Sequence, residues 1–160
     1  DLDRCTRCGA CVEACVAAHD DGNTRLYLDG PRFGNYLVPL SCRKCQDPVC
    51  LIGCPVGAIN RGDNGEIVVR DWCIGCSLCA DQCPYGSIQM TDLFSGEEPA
   101  KPGTKSVGVE QPQTESKNLV QKAIVCDLCS STSLGQEACV YACPHDAALR
   151  TNAATYFPLR

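Results

Sequence analysis

The stretch Cys73-Ile74-Gly75-Cys76-Ser77-Leu78-Cys79-Ala80-Asp81-Gln82-Cys83-Pro84 carries the fold of this chain. Its cysteines are spaced x2, x2 and x3, and a proline closes the figure. The figure recurs three times. Cys5-x2-Cys8-x2-Cys11-x3-Cys15 has the same spacing, with Val16 in place of the proline. Cys42-x2-Cys45-x4-Cys50-x3-Cys54 is followed by Pro55, and Cys126-x2-Cys129-x9-Cys139-x3-Cys143 by Pro144. In chain order these are motifs one, two, three and four, with the quoted stretch as motif three. Together they use all 16 cysteines of the 160 residues, and none is left over.

Three chemistries compete for such a pattern. Disulfide scaffolds are usually secreted domains of under about 100 residues, and half-cystines two residues apart rarely pair. Zinc ribbons use two separated Cys-x2-Cys knuckles and have no need of a third and fourth cysteine at x2 and x3. The bacterial ferredoxin figure for [4Fe–4S] clusters, Cys-x2-Cys-x2-Cys-x3-Cys-Pro, is met in spacing by motifs one and three. Iron–sulfur is therefore the reading adopted.

The spacing follows from the chemistry. Three closely spaced cysteines on a tight loop reach three corners of one cubane, while loop amides point at its sulfides. Gly9 and Gly75 lie inside these loops, where the backbone is expected to approach the cluster. The third cysteine opens a helix, and the fourth is expected one turn further along the same face. That fourth thiol ligates the neighbouring cluster, and the proline stops the helix. Four such motifs make four clusters. With Val16 for proline, the helix of motif one is expected to run on through His19 towards Gly22.

Composition agrees. Apolar residues reach 44%, but 16 cysteines in 160 residues supply ten of those points and leave 34%. With one Trp and three Phe, a conventional core would be thin, and the cysteines must hold the chain together. No run of about 18 apolar residues offers a membrane span. A formal charge of −5 without a basic stretch argues against nucleic acid. The chain starts Asp1-Leu2-Asp3 without methionine, which reads as a processed chain or a fragment, any targeting signal lying upstream.

The expected fold class is α+β: two nested bacterial-ferredoxin-like units, with short helices and small antiparallel β-hairpins, around four [4Fe–4S] clusters. Residues 36–91 form the inner unit with motifs two and three. Tyr36-Leu37-Val38 is a strand leading into motif two. Ala58-Ile59-Asn60 and Glu66-Ile67-Val68-Val69 are two strands about the turn Gly62-Asp63-Asn64-Gly65. Ser87-Ile88-Gln89-Met90 repeats the strand after the proline. Residues 1–35 and 119–160 form the outer unit with motifs one and four, which brings the chain ends near each other. Between them, 92–118 has neither helical nor strand periodicity and is expected to be a polar loop, with partner docking as its functional reading.

The motifs resemble the four-cluster iron–sulfur subunit of the dimethyl sulfoxide reductase and formate dehydrogenase superfamily. The resemblance rests on Cys5-Thr6-Arg7-Cys8-Gly9-Ala10-Cys11, on Cys42 to Pro55 with its x4 gap, and on Asp71-Trp72-Cys73-Ile74-Gly75-Cys76 with Cys83-Pro84-Tyr85-Gly86. Cys126-Asp127-Leu128-Cys129 and Ala138-Cys139-Val140-Tyr141-Ala142-Cys143-Pro144 are its most specific part. It implies that motif one pairs with four, and two with three. The implied ligand sets are Cys5, Cys8, Cys11 and Cys143; Cys126, Cys129, Cys139 and Cys15; Cys42, Cys45, Cys50 and Cys83; and Cys73, Cys76, Cys79 and Cys54. It also implies a molybdopterin catalytic subunit as partner, with a membrane quinone-reactive subunit beside it. Lys44 stands where members of that family often have histidine.

Four thiolate-bound cubanes would add about −8 to the chain's charge. Arg4, Arg7, Arg43, Lys44, Arg61 and Arg70 are the cations nearest the motifs in sequence. The expected role is sequential one-electron transfer, with no catalytic residues. His19 and His145 are the only histidines and read as helix-end or cluster-flanking residues, no cysteine remains as a nucleophile, and there is no phosphate loop. The competing class is a redox-sensing or electron-donating module of a larger chain, or a free-standing polyferredoxin. The expected location is the cytoplasm, a membrane reached through a partner, or the periplasm if a signal stands upstream.

Overall fold

The computed structural model describes residues 1–93 and 120–152, and the expected polar loop at 92–118 lies almost wholly outside the described residues. The elements follow in the order α1 (Ala10–Ala17), β1 (Arg32–Phe33), β2 (Tyr36–Leu37), α2 (Val49–Ile52) and β3 (Ile59–Arg61). They continue with β4 (Ile67–Val69), α3 (Leu78–Gln82), β5 (Ile88–Leu93), β6 (Val120–Val125) and α4 (Ala138–Tyr141). The strands pair antiparallel as β1–β2, β3–β4 and β5–β6. This is a small α+β fold of short helices and two-stranded sheets.

Each helix starts one residue before the third cysteine of its motif, as the spacing requires. How the chain enters the helix depends on the gap. With only two residues between the second and third cysteines, one left-handed residue makes the turn: Gly9 (φ 83°) before α1 and Ser77 (φ 60°) before α3. The x4 and x9 gaps leave room for an extended entry, through Pro48 and Glu137. A second bend is common to all four motifs. The residue before the second cysteine is left-handed each time: Arg7, Lys44, Gly75 and Leu128, with φ of 59°, 51°, 66° and 60°. Three of these carry a Cβ and bear the cost of that conformation, about 1–2 kcal/mol each. Glycine at 75 answers a further constraint. A Cβ there would stand 2.2 Å from the carbonyl oxygen of Gln121 in β6, so the close approach is to a strand rather than to a cluster. Gly75→Ala should therefore cost more than about 1–2 kcal/mol, seen as a lower denaturation midpoint of the intact protein, whereas Gly9→Ala, with nothing nearer than 4.0 Å, should lose only the backbone part.

The fourth cysteine departs from expectation in three motifs. Cys15 lies inside α1, but Cys54, Cys83 and Cys143 fall just beyond α2, α3 and α4. The following proline is the cause. It disfavours helical geometry for the residue before it, and Cys83 is extended, with ψ 111°. Three residues after each of these cysteines the chain turns left-handed again, at Gly57 (φ 61°), Gly86 (φ 58°) and Asp146 (φ 49°). Motif one has no proline, and α1 continues to Ala17, two residues short of His19.

The hairpin about 62–65 forms, with Ile59 opposite Val69 and Arg61 opposite Ile67. The β5–β6 sheet was not foreseen, nor was β1 as the partner of β2. Ile88 pairs with Val125 and Leu93 with Val120, so the strand that leaves motif three runs against the strand that enters motif four. The core sits where β3, β4, β5 and β6 meet α2 and α3, and is built from Ile59, Ile67, Ile88, Ala123, Val125, Cys50 and Cys79. It is thin, as composition requires: Ile67 is the large side chain fully buried among the described residues.

Candidate iron–sulfur sites

All sixteen cysteines are among the described residues, and none is joined to another by a disulfide. They fall into four neighbourhoods. Cys11 has Cys5 and Cys143 as electrostatic neighbours, and Cys8 lies exposed on the same loop. Cys139 has Cys126, Cys15 and Cys129 as its stronger electrostatic neighbours and Cys11 as a weaker one. Cys42 lies beside Cys45 and Cys83, and Cys50 beside Cys42 and Cys83. Cys79 neighbours Cys73 and Cys76, and those three line one cavity together with Cys54. The helices account for these meetings, because α1 packs on α4 and α2 on α3. In each neighbourhood a thiol from one motif joins those of another.

The thiols are differentiated. Burial pushes Cys79, Cys126 and Cys139 up to about 11, and like-charged neighbours add to it in all three. Cys15, Cys54 and Cys143 go the other way. Backbone N–H groups from His145, Ala148 and Ala147 lower Cys143, and the Ala147 N–H donates to its Sγ at 3.2 Å. Burial alone would raise Cys54, but four backbone amides outweigh it, with the Ala58 N–H donating to Sγ at 3.3 Å. The left-handed residues after the prolines turn these amides towards sulfur. Cys15 lacks that turn and accepts instead from the N–H of Arg25 at 3.2 Å.

The donor set decides what fits. Thiols raised by burial and by one another ionise only against strong positive charge, and soft thiolates select iron–sulfur clusters, zinc or Cu(I). Tetrahedral zinc takes four sulfurs around one ion at about 2.3 Å. A cubane takes each thiolate at a separate iron and accepts a wider ring. Around Cys54, Cys73, Cys76 and Cys79, the apolar Val56, Ile59, Ile74 and Met90 complete the cavity wall.

One pair of residues was not connected by sequence. His19, just past α1, is buried; its Nδ1–H donates to the Cys15 carbonyl at 2.8 Å and its Nε2 stands 3.4 Å from Asp127 Oδ1. Asp127 lies between the first two cysteines of motif four and accepts the N–H groups of Cys129 and Ser131 at 3.0 and 3.1 Å. Asp127 raises His19 to about 10, and the Cys15 thiol adds to it. Burial alone would raise Asp127, but His19 and Ser131 hold it well below the usual carboxylate range. The pair is an imidazolium–carboxylate staple between motifs one and four. The only sequence signal for it was the missing proline, which lets α1 run on far enough to deliver His19.

The cations divide by role. Arg61 braces motif two, Nη2 donating to the Cys45 carbonyl at 2.6 Å. Arg43 lies over the Tyr85 ring at 6.0 Å, Arg4 reaches Asp1 at 3.8 Å, and Lys122 pairs with Asp71 at 2.7 Å. His145 is exposed. No helix among the described residues is long and apolar enough to cross a membrane.

Repeated cysteine loops, paired helices and thiols of different motifs brought side by side define a ferredoxin-type [4Fe–4S] protein. The family comparisons agree: 4Fe–4S dicluster domains match residues 72–147 and 34–96, and a 4Fe–4S binding domain matches 2–16. The chain is 31% identical to an iron–sulfur protein of Rhodospirillum rubrum, over 91% of this chain and 76% of that one. It is 31% identical to hydrogenase-4 component A of Escherichia coli K12, over 89% and 76%. It is 30% identical to the electron transport protein HydN of the same strain, over 92% and 82%. The chain belongs to this family of 4Fe–4S proteins and is an iron–sulfur electron-transport protein.

Proposed function

We propose that the chain carries four [4Fe–4S] clusters in two nested ferredoxin-like units and serves as the electron-transfer subunit of a molybdopterin oxidoreductase complex. Cys5, Cys8, Cys11 and Cys143 hold one cluster, and Cys126, Cys129, Cys139 and Cys15 its partner. Cys42, Cys45, Cys50 and Cys83 hold the third, and Cys73, Cys76, Cys79 and Cys54 the fourth. Residues 1–35 with 119–160 make the outer unit and 36–91 the inner one. The observation that carries this reading is the packing of α1 on α4 and of α2 on α3, with the thiol neighbourhoods that follow from it.

A bound [4Fe–4S] cluster supplies a one-electron carrier that changes oxidation state with little rearrangement. The chain supplies the rest. Amides at Cys15, Cys54 and Cys143 donate to ligand sulfur, which favours the reduced state. Buried Cys79 lies against the apolar Ile59 and Met90, while Cys76 of the same set is open to solvent. Cys126 and Cys42 are neighbours, which joins the outer pair to the inner pair, and exposed Cys8 and Cys76 lie at the two ends of the series. With every cysteine committed, the chain is a carrier and not an enzyme by itself.

The molybdopterin partner and a membrane quinone-reactive subunit rest on the family resemblance, and the location follows the partner: cytoplasmic, or at a membrane through it, or periplasmic behind an upstream signal. The relative that is a hydrogenase component supports membership of an oxidoreductase complex. Anaerobic purification from the native source should give about 16 iron per chain and co-purify a large catalytic subunit containing molybdopterin. About four zinc in place of iron would overturn the cofactor reading. Recovery of the iron-loaded chain without a large partner would overturn the subunit reading in favour of a polyferredoxin.

A further inference from the structure

Four residues occupy one structural position, the left-handed bend before the second cysteine: Arg7, Lys44, Gly75 and Leu128. Gly75 and Leu128 bring no charge. Arg7 is exposed, where solvent and salt screen it. Lys44 differs from all three. It is half-buried, and its electrostatic neighbours are Arg150, Cys126, Glu66 and Cys42. Two of these are thiols of different motifs, and the backbone brings them together: Ile88 pairs with Val125, next to Cys126, while the adjoining Ser87 Oγ–H donates at 2.8 Å to the carbonyl of Ser41, next to Cys42. The other charged groups are engaged elsewhere: Arg150 pairs with Glu137, and Glu66 accepts the Asn64 N–H at 2.9 Å. Lys44 is thus a cation shared by motifs two and four, at the seam where the β5–β6 sheet brings the start of motif four against the inner unit.

We propose that Lys44 sets the reduction potentials of the two middle clusters of the series together, those of Cys42 and of Cys126, and leaves the two end clusters untouched. The inference rests on the ligand sets proposed above. An extra electron on either middle cluster adds negative charge beside the same ammonium group. One cation therefore raises both potentials and keeps them close to each other. The step from one pair to the other then crosses between carriers of matched potential. At the end clusters the equivalent positions hold exposed Arg7 and uncharged Gly75, so each end potential is set by its own surroundings.

The test uses the full, cluster-loaded chain. Lys44→Met keeps the stem length and the same non-glycine backbone strain but removes the charge; Lys44→Gln is the polar control, and Lys44→Arg restores the charge. Iron content and the number of EPR-active centres are measured first. Potentiometric titration followed by EPR should then show two of the four centres lowered by a tenfold or greater change in their one-electron equilibrium, about 59 mV. Lys44→Gln should do the same and Lys44→Arg should return both to within that range. Full iron with no shift, a shift in one centre only, or equal shifts in all four would overturn the proposal. Should Lys44→Met lose iron, the same three outcomes are read from Lys44→Gln. Failure of the ligand sets is separately visible, because Cys143→Ser would then alter the wrong centre.

Discussion

Replacing Cys143 with serine should remove or convert the cluster of Cys5, Cys8 and Cys11 while that of Cys126, Cys129 and Cys139 survives, although Cys143 belongs to motif four in sequence. Cys143 lies past the end of α4, and the helix carries it across to α1, where it is an electrostatic neighbour of Cys11. Within its own motif Cys139 has Cys126 and Cys129 as neighbours, with Cys15 of motif one beside them and Cys11 as the weakest influence. Loss of one cubane would lower iron by about four per chain, and the missing EPR centre should be the one also lost on replacing Cys5. Cys15→Ser is the reciprocal case and should strike the Cys126 cluster. A Cys143→Ser protein whose only altered centre is the one lost on replacing Cys126 would show that each motif closes on itself.

The His19–Asp127 staple should be worth more to stability than any other polar contact in the fold. Both side chains are buried, and removing one leaves the other charged group without its partner, which typically costs about 3–5 kcal/mol. His19→Gln should fall near the lower end, about 3 kcal/mol, because Asp127 keeps the N–H groups of Cys129 and Ser131. Anaerobic denaturant titration followed by circular dichroism would measure it. The pH dependence has a definite sign. His19 is raised from 6.5 to about 10, so its contribution is complete below pH 6.5 and is lost as pH rises through about 10. Asp127 is depressed from 3.8, so its contribution is complete above that value and is lost as pH falls below it. Stability should therefore be greatest from about pH 4 to 6.5 and decline on the alkaline side. In His19→Gln the alkaline decline should flatten. An equally steep decline in the variant would assign the pH dependence to other groups.

Much of this was legible before any coordinates. The third cysteine of each motif marked a helix start to within one residue, because three thiols around one object leave the chain a turn and a helix to follow. The Gly62-Asp63-Asn64-Gly65 turn located the β3–β4 hairpin. Proline acts on the residue before it, and the helices end short of their fourth cysteines: Cys83 directly follows α3, while Cys54 and Cys143 stand two residues past the ends of α2 and α4. β6 went unrecognised because Gln121 and Lys122 interrupt its apolar pattern, and only pairing with β5 makes 120–125 a strand. Gly75 was noticed for the right property and the wrong neighbour, since its crowding comes from Gln121 in that same strand.

By itself the sequence determined the chemistry: sixteen thiols in four local figures with none spare specify iron–sulfur electron transfer, because ligand spacing within a loop is a matter of a few dihedral angles. It also determined that the core would be thin. The pairing of motif one with four and of two with three was an expectation from their order and resemblance, and only the tertiary structure supplies its cause: α1 packs on α4 and α2 on α3 across long separations in the chain. The same long-range packing set His19 against Asp127 and put Lys44 within reach of both Cys42 and Cys126. Local spacing determines what a site can hold. The charges that surround it come from residues far away in sequence, and packing alone brings them there.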